Sequence, residues 1–116
     1  MEYSLKNSLM EIKVESLGAE LTGMKDLKTG KEYIWQKDPK FWAKSSPILF
    51  PFVGALKDNR YFYEGKEYNL TSKHGFARDY EFQVSDQGDD YLEFLFASSD
   101  ETKKVYPFDF KLYIKY

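Results

Sequence analysis

The sequence predicts an all-β, antiparallel fold, a β-sandwich in architecture. Three observations carry that expectation. Apolar and polar residues alternate with period two in several separate stretches, the pattern of strands with one wet face. No stretch sustains the 3.6-residue spacing of an amphipathic helix. Aromatic residues make up 19% of the chain, ten Tyr and ten Phe among them, and such side chains favour half-buried pleated surfaces.

The elements follow in order. Met10, Ile12 and Val14 alternate with Glu11, Lys13 and Glu15, and Leu21 to Leu27 continues in a similar pattern. Lys28-Thr29-Gly30 supplies turn chemistry, and Glu32 to Trp35 is expected to return as the next strand of an antiparallel meander. From Gln36 to Ser46 the alternation dissolves into a polar connection that carries Phe41 and Trp42. Pro47 to Gly54 is an apolar run containing two prolines. Each Pro removes a ladder donor, so an extended segment lining the interior is expected rather than a central strand.

Tyr61-Phe62-Tyr63, Glu64-Gly65 and Lys66-Glu67-Tyr68 read as a tight hairpin, with Gly65 free to take positive φ. A second meander is expected beyond Arg78. Tyr80, Phe82 and Val84 alternate with polar residues, Asp86 to Asp89 turns, and Tyr91 to Phe96 returns. Ser99 to Lys104 has an N-cap residue, acids first and bases last, which suits one helical turn. The final strand places Phe108, Phe110, Leu112, Ile114 and Tyr116 on one face, and no turn follows it. The expectation is therefore that residues 1–116 are the amino-terminal part of a single larger sandwich domain, truncated after Tyr116.

Composition narrows the function. A formal charge of −2 with dispersed Lys and Arg gives no electrostatic footprint for nucleic acid. No apolar run approaches the ~18 residues of a membrane span, and the N-terminus lacks the basic-then-apolar pattern of a leader. Without cysteine there is no disulfide, thiolate metal site or cysteine nucleophile, in keeping with a cytoplasmic address. No nucleophile elbow and no phosphate-cradling Gly-rich loop is present.

Chemistry concentrates at His74-Gly75-Phe76-Ala77-Arg78. His74 is the only histidine, able to donate and accept hydrogen bonds to a hydroxyl-rich ligand. Gly75 permits close backbone approach. Arg78 offers a planar fork to a carboxylate, a phosphate or vicinal hydroxyls, or else pairs with Asp79 or another acid. Trp42, with Trp35 and Phe41, is a candidate surface on which a sugar ring could stack.

The run Pro47-Ile48-Leu49-Phe50-Pro51-Phe52-Val53-Gly54, then Tyr63 to Leu70, then His74 to Arg78, resembles the amino-terminal part of the aldose 1-epimerase (galactose mutarotase-like) family. Gly18 to Leu21 and Gly30 to Trp35 fit the same family, so the resemblance spans essentially the whole chain. The His-Gly-Phe-Ala-Arg form is similar to the branch of uncharacterised and hexose-6-phosphate epimerases. The resemblance implies a large antiparallel sandwich that binds a hexose in an open cleft and interconverts its α and β anomers without a cofactor. A glutamate takes the anomeric hydroxyl proton while a histidine protonates the ring oxygen.

On that resemblance His74 matches the first of two family histidines, a sugar-binding and supporting residue, and Arg78 contacts substrate hydroxyls or phosphate. The second histidine, a sugar-binding aspartate and the catalytic glutamate lie further along in family members and are not among these residues. The family arginine after the Val-Gly segment has no clear counterpart. Ala55 follows Gly54, and Arg60 is offset, either a substrate contact or a plain hairpin residue. Two further readings follow from the residues: a non-catalytic carbohydrate-binding module using Trp35, Phe41, Trp42 and His74, and a structural piece that forms a homo-oligomer through open sheet edges.

Overall fold

A computed structural model describes all of residues 1–116. Eight strands and one short helix make up the fold: β1 (Glu2–Lys6), β2 (Met10–Glu15), β3 (Glu20–Asp26), β4 (Arg60–Tyr63), β5 (Lys66–Asn69), β6 (Gln83–Gln87), β7 (Leu92–Ala97), α1 (Asp100–Val105) and β8 (Lys111–Lys115). All ladders are antiparallel. They form two three-stranded meanders, β1-β2-β3 and β6-β7-β8, and the separate hairpin β4-β5.

Alternation explains the meanders. In β1 the residues read exposed, half-buried, exposed, with Tyr3 and Leu5 inward, and in β7 Leu92, Phe94 and Phe96 are buried. The two meanders pack face to face. Tyr3 of β1 meets Phe94 of β7 edge-on at 5.5 Å between ring centroids, and Phe94 and Val14 belong to the same fully buried cluster. Phe76 joins this cluster from the connection after β5, touching Phe50, Tyr80, Phe96, Tyr106 and Phe110.

The meander expected from the first third is displaced by one strand. β1, not read from the sequence, is its first member, and Glu32 to Trp35 does not form a strand. A single bridge, Lys25 to Glu32, and two backbone bonds, from the Asp26 N–H to the Lys31 carbonyl and from the Tyr33 N–H to the Met24 carbonyl, continue the pairing. The reason is the Glu32 carboxylate, which accepts from the Met24 N–H at 2.6 Å and from the Ile34 N–H at 2.9 Å. A side chain thus takes the place of the ladder.

Local signals are otherwise met. Asp26 accepts from the Lys28 and Thr29 N–H groups, closing the turn that Gly30 completes at φ 74°. Glu64 and Gly65 both take positive φ, as a two-residue turn with the strands' own twist requires. Ser99 and Thr102 form a reciprocal capping box at the start of α1. Regular pairing starts later than expected in two strands, at Gln83 and at Lys111. Tyr80 to Phe82 instead lies against Ser16 to Gly18 and ties the two meanders together.

Candidate functional site

The motif from His74 to Arg78 leaves the β4-β5 hairpin and enters β6, and three backbone contacts hold it. The Phe50 carbonyl accepts from the N–H groups of Phe76 and Ala77, and Phe50 bridges Gly75 in parallel. Gly75 has φ 74°, and a Cβ there would stand 2.0 Å from the Phe50 carbonyl oxygen, so only glycine fits. Gly18, at φ 72°, lies against the backbone of Arg78 so closely that a Cβ would come within 2.8 Å of its carbonyl oxygen.

His74 is fixed by Gly54. The His74 N–H donates to the Gly54 carbonyl and the Gly54 N–H donates to His74 Nδ1, both at 2.7 Å. His74 itself sits at φ 68°, a left-handed conformation that costs an L-residue roughly 1–2 kcal/mol. Its Nε2 has no hydrogen-bond partner in the chain, and the residue is half-buried.

The motif therefore divides by role. Gly75, Phe76 and Ala77 are buried and secure the backbone, while His74 and Arg78 flank them half-exposed. The Arg78 guanidinium makes no ion pair and no hydrogen bond within the chain. The alternative of a bridge to Asp79 or another acid is not realised among the five ion pairs present. An unpaired half-buried guanidinium and a histidine with one free nitrogen, four positions apart in the chain, are each able to bond an oxygen-rich ligand.

The other candidates lie apart from this pair in the bonding pattern. Arg60 opens β4, pairs with Glu67 across the hairpin at 3.2 Å and stands over the Phe62 ring. Trp42 is half-exposed on the 36–46 connection, where its carbonyl accepts from Trp35 Nε1 at 2.7 Å. Trp35 in turn meets Phe41 edge-on, giving a cluster of three exposed aromatics. Neither Arg60 nor Trp42 bonds to His74 or Arg78.

Two residues that matter to the site went unread in the sequence. Gly54 was visible as the end of an apolar run, but not as the partner of a histidine twenty residues away. Glu20 is buried at 2% exposure, and its carboxylate accepts from the N–H groups of Ser45 and Ser46. It pins the far end of the aromatic-bearing connection to β3, and Lys37 neutralises it from 3.7 Å. The hydroxyls of Ser45 and Ser46 donate to the carbonyls of Trp35 and Leu21, which makes them structural.

Surface clefts open elsewhere. One of about 450 Å³ lies by Leu9, Met24 and Tyr33, and one of about 200 Å³ by Leu5, Ile12 and Tyr116. Neither includes His74 or Arg78. No group of three His, Cys, Asp or Glu is placed to hold a metal ion, and no helix is long and apolar enough to cross a membrane.

The family model for aldose 1-epimerase matches residues 1–116, the entire chain. The chain belongs to the aldose 1-epimerase family. Among solved structures of similar fold are a galactose mutarotase related enzyme from Lactobacillus acidophilus, 39% identical with a TM-score of 0.96, and a galactose mutarotase-like protein from Lactobacillus casei, 36% identical with a TM-score of 0.95. Both are matched over 100% of this chain but over only 38% and 39% of their own. Protein LacX (plasmid) from Lactococcus lactis subsp. lactis is 34% identical over 120 residues, and the match covers 40% of it. This aldose 1-epimerase family chain thus spans about two fifths of the length of the relatives it matches, and its antiparallel sheets are those of the mutarotase-like fold.

Proposed function

We propose that this chain is the amino-terminal, sugar-binding part of an isomerase that interconverts the α and β anomers of an aldohexose. The observation that carries the reading is His74, held at positive φ with Nδ1 bonded to Gly54 and Nε2 free. Anomer exchange requires a base to take the anomeric hydroxyl proton and an acid to protonate the ring oxygen. The C1–O bond then breaks, C1 rotates as an aldehyde, and reclosure reverses both transfers. Only protons move, so no cofactor is needed.

His74 supplies sugar binding and support at the ring-oxygen end, and Arg78 contacts hydroxyls or a phosphate. As the family resemblance implies, the base comes from outside these 116 residues and the chain alone does not complete the reaction. Its partner is a small hexose or hexose phosphate, with neither nucleic acid nor membrane involved, and its address is cytoplasmic.

Titration with glucose, galactose and their 6-phosphates, read by intrinsic tryptophan fluorescence or calorimetry, tests this. Saturable binding lost in His74→Ala is expected, with Arg78→Ala weakening phosphorylated sugars more than neutral ones. Binding indifferent to His74→Ala would overturn the assignment. The exposed Trp35, Phe41 and Trp42 cluster favours a second reading, a sugar-binding module without catalysis. On that reading Trp42→Ala costs more affinity than His74→Ala.

A further inference from the structure

Gly54 and His74 exchange two hydrogen bonds, and one of them constrains chemistry as well as conformation. A backbone N–H can only donate, so the nitrogen facing it at 2.7 Å must hold a lone pair. A neutral imidazole has one ring proton. We propose that Gly54 is a positioning residue whose N–H fixes His74 as the Nε2–H tautomer, making the ring a hydrogen-bond donor toward its ligand.

The opposite tautomer would set two N–H groups against each other and leave both unsatisfied in a half-buried site, which disfavours it by about tenfold or more. The orientation is secured on both sides. His74 N–H returns a bond to the Gly54 carbonyl, and Phe50, four residues before Gly54, holds the N–H groups of Phe76 and Ala77. Gly54 itself is at φ 84°, a conformation that presents its N–H where a residue with a Cβ would be strained.

For the chemistry, the inference rests on the sugar-binding reading. A neutral Nε2–H donor faces an oxygen lone pair, the ring oxygen or a hydroxyl accepting a bond. It cannot take the proton of the anomeric hydroxyl, because that nitrogen already carries one. His74 is therefore confined to the donor side of the ring-opening step, and the orientation of the sugar follows from it.

The chain has one histidine, so the imidazole nitrogens of the ¹⁵N-labelled protein give a single unambiguous pair of signals. Expected are an unprotonated Nδ1, a protonated Nε2 and a scalar coupling between the Gly54 amide nitrogen and Nδ1 across the hydrogen bond. Gly54→Ala keeps the N–H but strains φ at 84°, and should weaken the coupling at neutral pH. Gly65→Ala provides the control for strain, since Gly65 also has positive φ and open space around its Cβ position but belongs to the β4-β5 turn. It should lower stability and leave the coupling intact.

A protonated Nδ1, or absence of the coupling in the unsubstituted chain at neutral pH, would overturn the proposal. So would a coupling weakened in Gly65→Ala as much as in Gly54→Ala. Addition of an aldohexose separates this from the sugar reading. A shift of Nε2 and its proton with the coupling retained supports both. The coupling without any response to sugars leaves the tautomer standing and removes the sugar reading, while a response without the coupling does the reverse.

Discussion

Gly75 shows how one residue sets the site. With Phe50's carbonyl 2.0 Å from where its Cβ would be, Gly75→Ala must push the 50–54 segment away and take the partner of His74 with it. Gly65 also has positive φ, but a Cβ there meets open space. Chemical denaturation should therefore show Gly65→Ala losing about 1 kcal/mol and Gly75→Ala about 3 kcal/mol or more. Near-equal losses would mean the close approach is not tight. The need for glycine next to His74 was legible in the sequence. What presses on it was not, because Phe50 lies 25 residues earlier and its contact is made by backbone rather than by a side chain with a recognisable pattern. The motif's centre, Phe76 and Ala77, is its buried anchor, held by the Phe50 carbonyl.

At the scale of elements, what is local was readable and what depends on a distant partner was not. The β4-β5 hairpin and α1 were visible because their turn and cap lie within a few residues. Ser99→Ala should cost about 1 kcal/mol in stability by denaturation, since it removes the acceptor for the Thr102 N–H. No loss would mean that the cap contributes nothing. Glu32 to Trp35 failed as a strand because the Glu32 side chain, turned back on its own backbone, competes with the ladder. Burial pushes the Glu32 carboxyl up, but the N–H groups of Met24, Ile34 and Tyr33 and the charge of Lys25 more than offset it and hold it below its ordinary value. Because the folded value is the lower one, the contribution of Glu32 is complete above the ordinary value of about 4.3 and is lost as pH falls through the folded value. The Met24 and Ile34 amide signals should titrate together as pH falls below the ordinary carboxylate value, and Glu32→Gln should abolish that titration. Titration that persists in Glu32→Gln would assign the effect to another acid.

For the whole molecule, sheet packing and openness go together. The sandwich was legible from alternation and aromatic content, and Tyr3 against Phe94 shows the two meanders closing on each other. Yet only 16 of 116 residues are buried, and the radius of gyration is 16.6 Å. A compact domain of this length would have about 13 Å. Sheet edges at β1, β6 and β8 and apolar side chains such as Leu9, Phe41 and Val53 are exposed. Open edges template strand pairing, although Lys111 and Lys115 on β8 oppose it. Sedimentation should show association that grows with protein concentration, and a monomer throughout would count against the edges as an interface. On the proposed function these residues hold the sugar through His74 without turning it over. Two-dimensional exchange NMR on a ¹³C-labelled aldohexose tests it most directly, reporting binding and anomer exchange in one sample. Expected are sugar signals broadened by binding, an α–β exchange rate equal to that in buffer, and loss of the broadening in His74→Ala. Exchange accelerated by the chain and abolished in His74→Ala would contradict the claim.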